Sequence, residues 1–380
     1  MYFLDNASTT KCFEKSAEIV KDALVEDFFN PSAKYAPAVD VAVKLSNARK
    51  DILNTLYAIN YDVIFTASAT ESNNLVFNSA CSKSYKSIIS KGEHSSIYET
   101  AKNLKLKGFQ IEEVELTAKG DVDFDSFRRI LTPEVGFVSV MLVSNETGAI
   151  TNVKKLISYA KAVNPNILFH VDAVQAYCKI AINLEDLGAD YLTISSHKIH
   201  GPKGVGALVF KKRAKLIPQI IGGGQENGIR SGTENLPAVL GFVNSANILS
   251  KNIEKRFKSI MQFKLDFYNK LTQKASNTGI EIVLNGSLED SSPYILSISF
   301  TGVKAEILLH SLEAHQIYVG TGSACNSKHK QNRVLSSMGK SDAEVEGNIR
   351  FSFSEESLNY DIDFITDKII ESVNNIKRKQ

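Results

Sequence analysis

Paired cysteines are missing from this chain. Its four cysteines (Cys12, Cys81, Cys178 and Cys325) lie far apart, and no C-x-x-C occurs. A structural zinc site or a secreted disulfide framework is therefore a poor reading. An excess of one charge is missing too. Lys and Arg number 44 against 42 Asp and Glu, a formal balance of +2, so neither nucleic acid nor a membrane surface is expected as the main partner. No apolar run approaches the roughly 20 residues that span a bilayer. The opening MYFLDNASTT has no basic and no apolar stretch, so no secretory signal is expected and a cytoplasmic location is. The G-x-x-x-x-G-K-[ST] phosphate loop, internal repeats and low-complexity segments are absent as well.

What is there reads as α/β. Hydrophobic residues make up 43% of 380, ample for a sizeable core. Strands are predicted at 62–66, 86–90, 110–116, 136–143, 167–172, 191–195 and 205–210, with helices at 95–107, 124–131 and 153–163 between them. Such alternation predicts a mostly parallel sheet covered by helices, with ligands bound beyond the carboxyl ends of its strands. A glycine-rich stretch at 222–228 breaks the pattern, and a long helix from 234 to about 273 is predicted after it. A smaller α+β segment follows, with strands near 280–284, 295–300 and 349–353 and helices at 304–313, 341–347 and 361–376.

Polar residues collect where the predicted strands stop. Ser68-x-x-Glu71 has the form of a capping box opening a helix. A helix N-terminus can bind phosphate, although a plain well-capped helix is the commoner case. Asp172 ends its strand, where a buried carboxylate needs a cationic partner, and a pyridinium nitrogen is one. His170, two residues back, reads as a hydrogen-bonded core histidine. Lys198 stands among His197, His200 and a Gly/Pro turn, and a lysine so placed can lose its proton and form a Schiff base. Lys203, in that turn, reads as a solvated control. Cys325 follows small residues and precedes Lys328, His329 and Lys330, which reads as an exposed loop thiol held toward thiolate. The other three cysteines read as small buried hydrophobes. Arg350 alternates with apolar residues and calls for an anion, such as a carboxylate. His94 reads equally as a loop histidine or a functional one.

Taken together and in order, several motifs resemble the cysteine desulfurases of the iron–sulfur-cluster and nitrogen-fixation type, class V members of the aminotransferase superfamily. They are Ala69-Thr70-Glu71-Ser72-Asn73-Asn74, Asn145-Glu146-Thr147-Gly148, His170-Val171-Asp172-Ala173-Val174-Gln175, Ser196-His197-Lys198-Ile199-His200-Gly201 and Arg230-Ser231-Gly232-Thr233-Glu234-Asn235. The likeness runs from Leu4-Asp5-Asn6 to Ile349-Arg350-Phe351-Ser352. It implies fold type I of the pyridoxal-phosphate enzymes, with Lys198 holding pyridoxal 5'-phosphate covalently and moving the α-proton. Ala69, Thr70, Ser195 and His197 would bind the phosphate, joined by Thr233 from the other subunit of a homodimer. Asp172 would pair with the ring nitrogen, Gln175 with the ring oxygen, and His94 would stack on the ring and serve in proton transfer. Asn145 would lie beside the cofactor. Asn6, Asn145 and Arg350 would hold the substrate, L-cysteine, and Cys325 would take its sulfur as a persulfide, leaving L-alanine.

The resemblance also implies a protein sulfur acceptor, such as an iron–sulfur scaffold or a tRNA-thiolation enzyme, and no metal. A selenocysteine lyase or another class V enzyme would use Lys198, Asp172 and Arg350 equally well. A non-catalytic scaffold relative would be expected to lack the lysine or the thiol. The division expected is an N-terminal segment 1–15 joining the small domain, a large cofactor-binding domain 16–255, and a small α+β domain 256–380 carrying Cys325. The chain departs from the family's usual pattern at Tyr35, near which a histidine is common, and at Asn326.

Overall fold

A computed structural model describes residues 1–322 and 332–378; Cys325 and its neighbours lie outside the described residues. Twelve strands are found among those described: β1 (Tyr2–Leu4), β2 (Tyr61–Thr66), β3 (Lys86–Ser90), β4 (Ile111–Val114), β5 (Val135–Met141), β6 (Leu168–Asp172), β7 (Tyr191–Ser195), β8 (Gly206–Lys211), β9 (Ile282–Leu284), β10 (Ile295–Phe300), β11 (Ile317–Val319) and β12 (Asn348–Ser352).

The seven runs predicted between residues 62 and 210 are the seven strands of one sheet, in the order β2-β8-β7-β6-β5-β3-β4. β8 runs against both of its neighbours, β2 and β7; the remaining pairings are parallel. Burial along β7 is continuous, as a sheet covered on both faces requires. Val63, Val138 and Leu192 pack with the helices Ala36–Thr55, Val153–Val163 and Leu236–Leu249. Their neighbours Ile64, Phe137 and Tyr191 point the other way, onto Ala69–Ala80 and Ser95–Leu106. Each such buried side chain contributes about 1.5–3 kcal/mol. The polar ends of β2, β6 and β7 consequently emerge along one edge.

The second cluster gathers Phe267, Ile298, Phe300, Leu308, Phe351 and Ile369, with Leu4 from the start of the chain. Its antiparallel sheet has the order β12-β10-β9, and β1 pairs in parallel with β11. Helices Ala305–Glu313, Asp342–Glu346 and Ile362–Lys377 lie within a residue of expectation.

One expectation is corrected. The long helix predicted from 234 to 273 is two helices, Leu236–Leu249 and Ile253–Asn277. Between them Asn252 takes a left-handed conformation, φ 59°, which asparagine tolerates better than most residues. Arg256 closes the break: its Nη2 donates to Leu249 O, a carbonyl at the first helix's end, and to Cys178 O at 3.1 Å. A side chain reaching back to a terminal carbonyl is invisible to hydrophobic periodicity.

Candidate active site

Along the edge where β2, β6 and β7 end lies a cavity of about 490 Å³, a size typical of cofactor and small-ligand sites. Ten of the residues singled out from sequence line it: Ala69, Thr70, His94, Asn145, Asp172, Gln175, Ser195, His197, Lys198 and Arg350. Asn6 and Thr233 do not. Asn6 is buried, its Nδ2 donating to Phe3 O at 3.1 Å and Ser352 O at 2.9 Å, so it braces the wall from behind. Thr233 is exposed and off the cavity. The Cys325 reading falls on residues not described.

One end of the cavity is built for an anion. Ser68 caps the helix Ala69–Ala80, its Oγ accepting from Glu71 N at 3.2 Å. The capping box is only half formed, because the Glu71 carboxylate accepts from Ala67 N at 2.8 Å and from Arg230 Nε at 2.8 Å. The helix N-terminus thus keeps free N–H groups toward the cavity. Gly206 allows this: a Cβ there would stand 2.9 Å from Ser68 C and 3.0 Å from Ala69 N. His197, which contacts Thr9 Oγ1 at 3.2 Å, is pushed down to about 4 by burial and then by Lys198. It is neutral at pH 7, so it can donate one N–H without bringing charge.

At the other end sits Asp172, 2% exposed. Its carboxylate accepts from Val174 N at 3.0 Å and Asn73 Nδ2 at 3.1 Å. Burial raises its pKa, and those hydrogen bonds, with His94 and Lys198, oppose the rise. Asn73 also donates to Ser96 Oγ at 2.9 Å, and that hydroxyl lies 2.9 Å from His94 Nδ1. Ser96 N donates to the same Nδ1 at 3.1 Å, so the neutral ring carries its proton on Nε2. The His94 ring is open to the cavity, yet the walls withhold enough water to lower its pKa. His170 is a core histidine, with Ser139 Oγ at 2.8 Å and Thr193 Oγ1 at 3.0 Å.

Lys198 lies between these ends. Its Nζ donates to Ala7 O at 2.7 Å and Ser8 O at 2.6 Å, and burial, then Arg350, push it down to about 8. Lys203 is exposed, as expected. Arg350 closes the wall from β12, its Nη1 donating to Asn145 O at 2.9 Å. Gln175 donates to Ala7 O at 2.9 Å and accepts from the buried Lys179 at 3.0 Å.

Several wall residues escaped the sequence reading. Glu93 is buried and accepts from Met141 N at 2.8 Å; burial pushes it up to about 8, so it holds a proton at neutral pH. Arg333 donates to Lys91 O and Glu93 O and lies 3.9 Å over the Tyr98 ring. Ala7 and Ser8 act through backbone carbonyls, which no motif advertises. Of the three described cysteines, only Cys178 is fully buried; Cys12 and Cys81 are half-buried, and burial raises all three thiols.

The residues fit pyridoxal phosphate. The floor carboxylate has a strong need of a cation, the lysine is poised near neutrality, and the capped helix offers N–H groups to a phosphate. Residues 2–365 match the model of the aminotransferase class-V family. A protein named cysteine desulfurase IscS from Dictyoglomus turgidum is 34% identical, the match covering 98% of this chain and 95% of that one. Among solved structures, a NifS-like protein superposes with a TM-score of 0.89 at 30% identity, covering 98% and 99% of the two chains. A structure described as SspA in complex with cysteine gives 0.78 at 26% identity, covering 93% and 99%. The chain therefore belongs to the class-V aminotransferase family and stands among its cysteine desulfurases.

Proposed function

We propose that the protein is a pyridoxal-phosphate-dependent cysteine desulfurase, converting L-cysteine to L-alanine and passing the sulfur through Cys325 to a protein acceptor. The observation that carries this is the meeting of Lys198, Asp172 and Arg350 on one cavity that has a helix N-terminus at its far end. Pyridoxal phosphate, when bound, supplies a ring that accepts the electrons of the substrate's broken bonds. Asp172 would keep the ring nitrogen protonated. Gln175 would face the ring oxygen, while Ala69, Thr70, Ser195 and His197 would hold the phosphate. Lys198 holds and moves the α-proton from Nζ, which its lowered pKa allows near neutrality. Arg350 would take the substrate carboxylate, and His94, its proton on Nε2, would stack on the ring.

In the sulfur step a bond from Cys325 Sγ to the substrate sulfur forms as the substrate's carbon–sulfur bond breaks, leaving a persulfide on the enzyme. The acceptor is a protein, such as an iron–sulfur scaffold or a tRNA-thiolation enzyme. Thr233, exposed and off its own chain's cavity, would complete the phosphate site of a second copy in a homodimer.

Two variants test the reading. Lys198→Ala is expected to abolish the visible absorbance of the bound cofactor. Cys325→Ala is expected to retain that absorbance and lose cysteine-dependent alanine release. Persistent alanine release from Cys325→Ala overturns the sulfur route; purified protein that takes up no cofactor overturns the whole reading.

A further inference from the structure

Arg350 is held far more tightly than a residue waiting for substrate requires. It is 5% exposed, and its Nη2 donates both to Asp5 Oδ1 at 3.0 Å and to Ser8 Oγ at 2.8 Å. Ser8 Oγ in turn donates to Asp5 Oδ1 at 2.9 Å, closing a triangle. On the other side Nη1 donates to Asn145 O at 2.9 Å and stands 3.8 Å from Glu146 Oε1. Gly320 presses on the pair: a Cβ there would lie 2.7 Å from Asp5 Oδ1 and 2.9 Å from Arg350 Nη2. Two backbone hydrogen bonds, at 3.0 and 2.7 Å, fix Gly320 to Arg350. The guanidinium cannot swing away, and an arriving carboxylate meets one positive charge already faced by two negative ones.

We propose that Asp5 is the positioning residue of Arg350 and also weakens its grip, so that the carboxylate shared by substrate and product is oriented firmly but held loosely. The inference rests on the reading of Arg350 as the carboxylate site. Two opposing effects are separable by chemistry. Asp5 Oδ1 as a hydrogen-bond acceptor orients the guanidinium, and an asparagine oxygen preserves this. The negative charge of Asp5 opposes a second carboxylate, and asparagine removes it. Ser8 belongs to the same device, because its hydroxyl serves Arg350 while its carbonyl serves Lys198. The carboxylate site and the lysine are thereby tied to one four-residue turn.

The sign of the effect makes the test. In the cofactor-loaded enzyme, calorimetry measures binding of 3-mercaptopropionate, the substrate without its amino group, under reducing conditions. Asp5→Asn is expected to tighten it roughly three- to ten-fold and to lower the KM for cysteine in step. Ser8→Ala, which keeps both charges and removes the bridge, is expected to weaken it by a similar factor. Unchanged or weaker binding in Asp5→Asn, with a thermal midpoint near that of the parent, overturns the proposal. Should Asp5→Asn fold poorly, Asp5→Ser carries the same expectation for charge. Arg350→Ala separates the two readings: if it binds the probe like the parent, Arg350 is not the carboxylate site and the inference falls with it. If binding drops at least ten-fold there and Asp5→Asn gives no tightening, only the inference falls.

Discussion

A half-buried lysine among carbonyls is a different reagent from one in water. Lys198 has its amine held by Ala7 O and Ser8 O and its pKa lowered to about 8, mainly by burial. The neutral amine is the form that captures an aldehyde, so the fraction available rises about tenfold per pH unit below that value and then levels. Stopped-flow capture of pyridoxal phosphate by the apoprotein is expected to rise from pH 6 and flatten near pH 8. A continued rise to pH 10 would mark Lys198 as an ordinary solvated lysine. The reverse logic governs Glu93, whose burial raises it to about 8. Its carboxyl is neutral beside Asp172 at neutral pH, which spares the cavity floor a second negative charge there.

At the scale of elements, the helix Ala69–Ala80 does the most with the least. Ser68→Ala removes the hydroxyl that accepts from Glu71 N, at a cost of about 1 kcal/mol in stability. Because Ser68 also lines the cavity, the same variant is expected to bind pyridoxal phosphate several-fold more weakly while leaving pyridoxal, which lacks the phosphate, unaffected. Parallel affinity measurements for the two ligands decide this, and equal losses would assign Ser68 to stability alone. Legibility from sequence follows the same division. The strands of the large sheet were readable because burial on both faces makes them continuous apolar runs. Asp172 and Lys198 were readable because ionisable residues at strand ends are hard to explain otherwise. β1 and β11, three residues each, were not, since neither is long enough to show a period. The break at Asn252 was hidden because a single left-handed residue leaves the flanking composition helical. Asp5 carried no local signal: its meaning depends on Arg350, which sequence alone does not place beside it.

The two largest apolar clusters among the described residues are one built on the large sheet and one around β10 and β12. We propose that these are the cores of the large and small domains, with the division near residue 255. Lys198 and Asp172 come from the first, and Arg350 comes from the second. Substrate and cofactor would thus be gripped from opposite sides. Thr233, exposed on the first, would serve a neighbour. A mixture of Lys198→Ala and Thr233→Ala chains tests that assignment. In each mixed dimer one of the two sites regains both its own Lys198 and the partner's Thr233, so strong cofactor binding should return in about a quarter of all sites after statistical exchange. Mixing that restores nothing would place Thr233 outside the phosphate site.

The pairing of β1 with β11 has a consequence for how the protein is made. Ala7 N donates to Ser352 Oγ across 345 residues of chain, and Ala7 O is an acceptor for Lys198. Ala7 therefore waits for a partner made 345 residues later before it can take its place. Until then the lysine lacks its fixed holders and Arg350 is not yet in place. Assembly of the centre is in this way postponed until Ser352 has been made, and a chain cut short before it would lack an assembled centre.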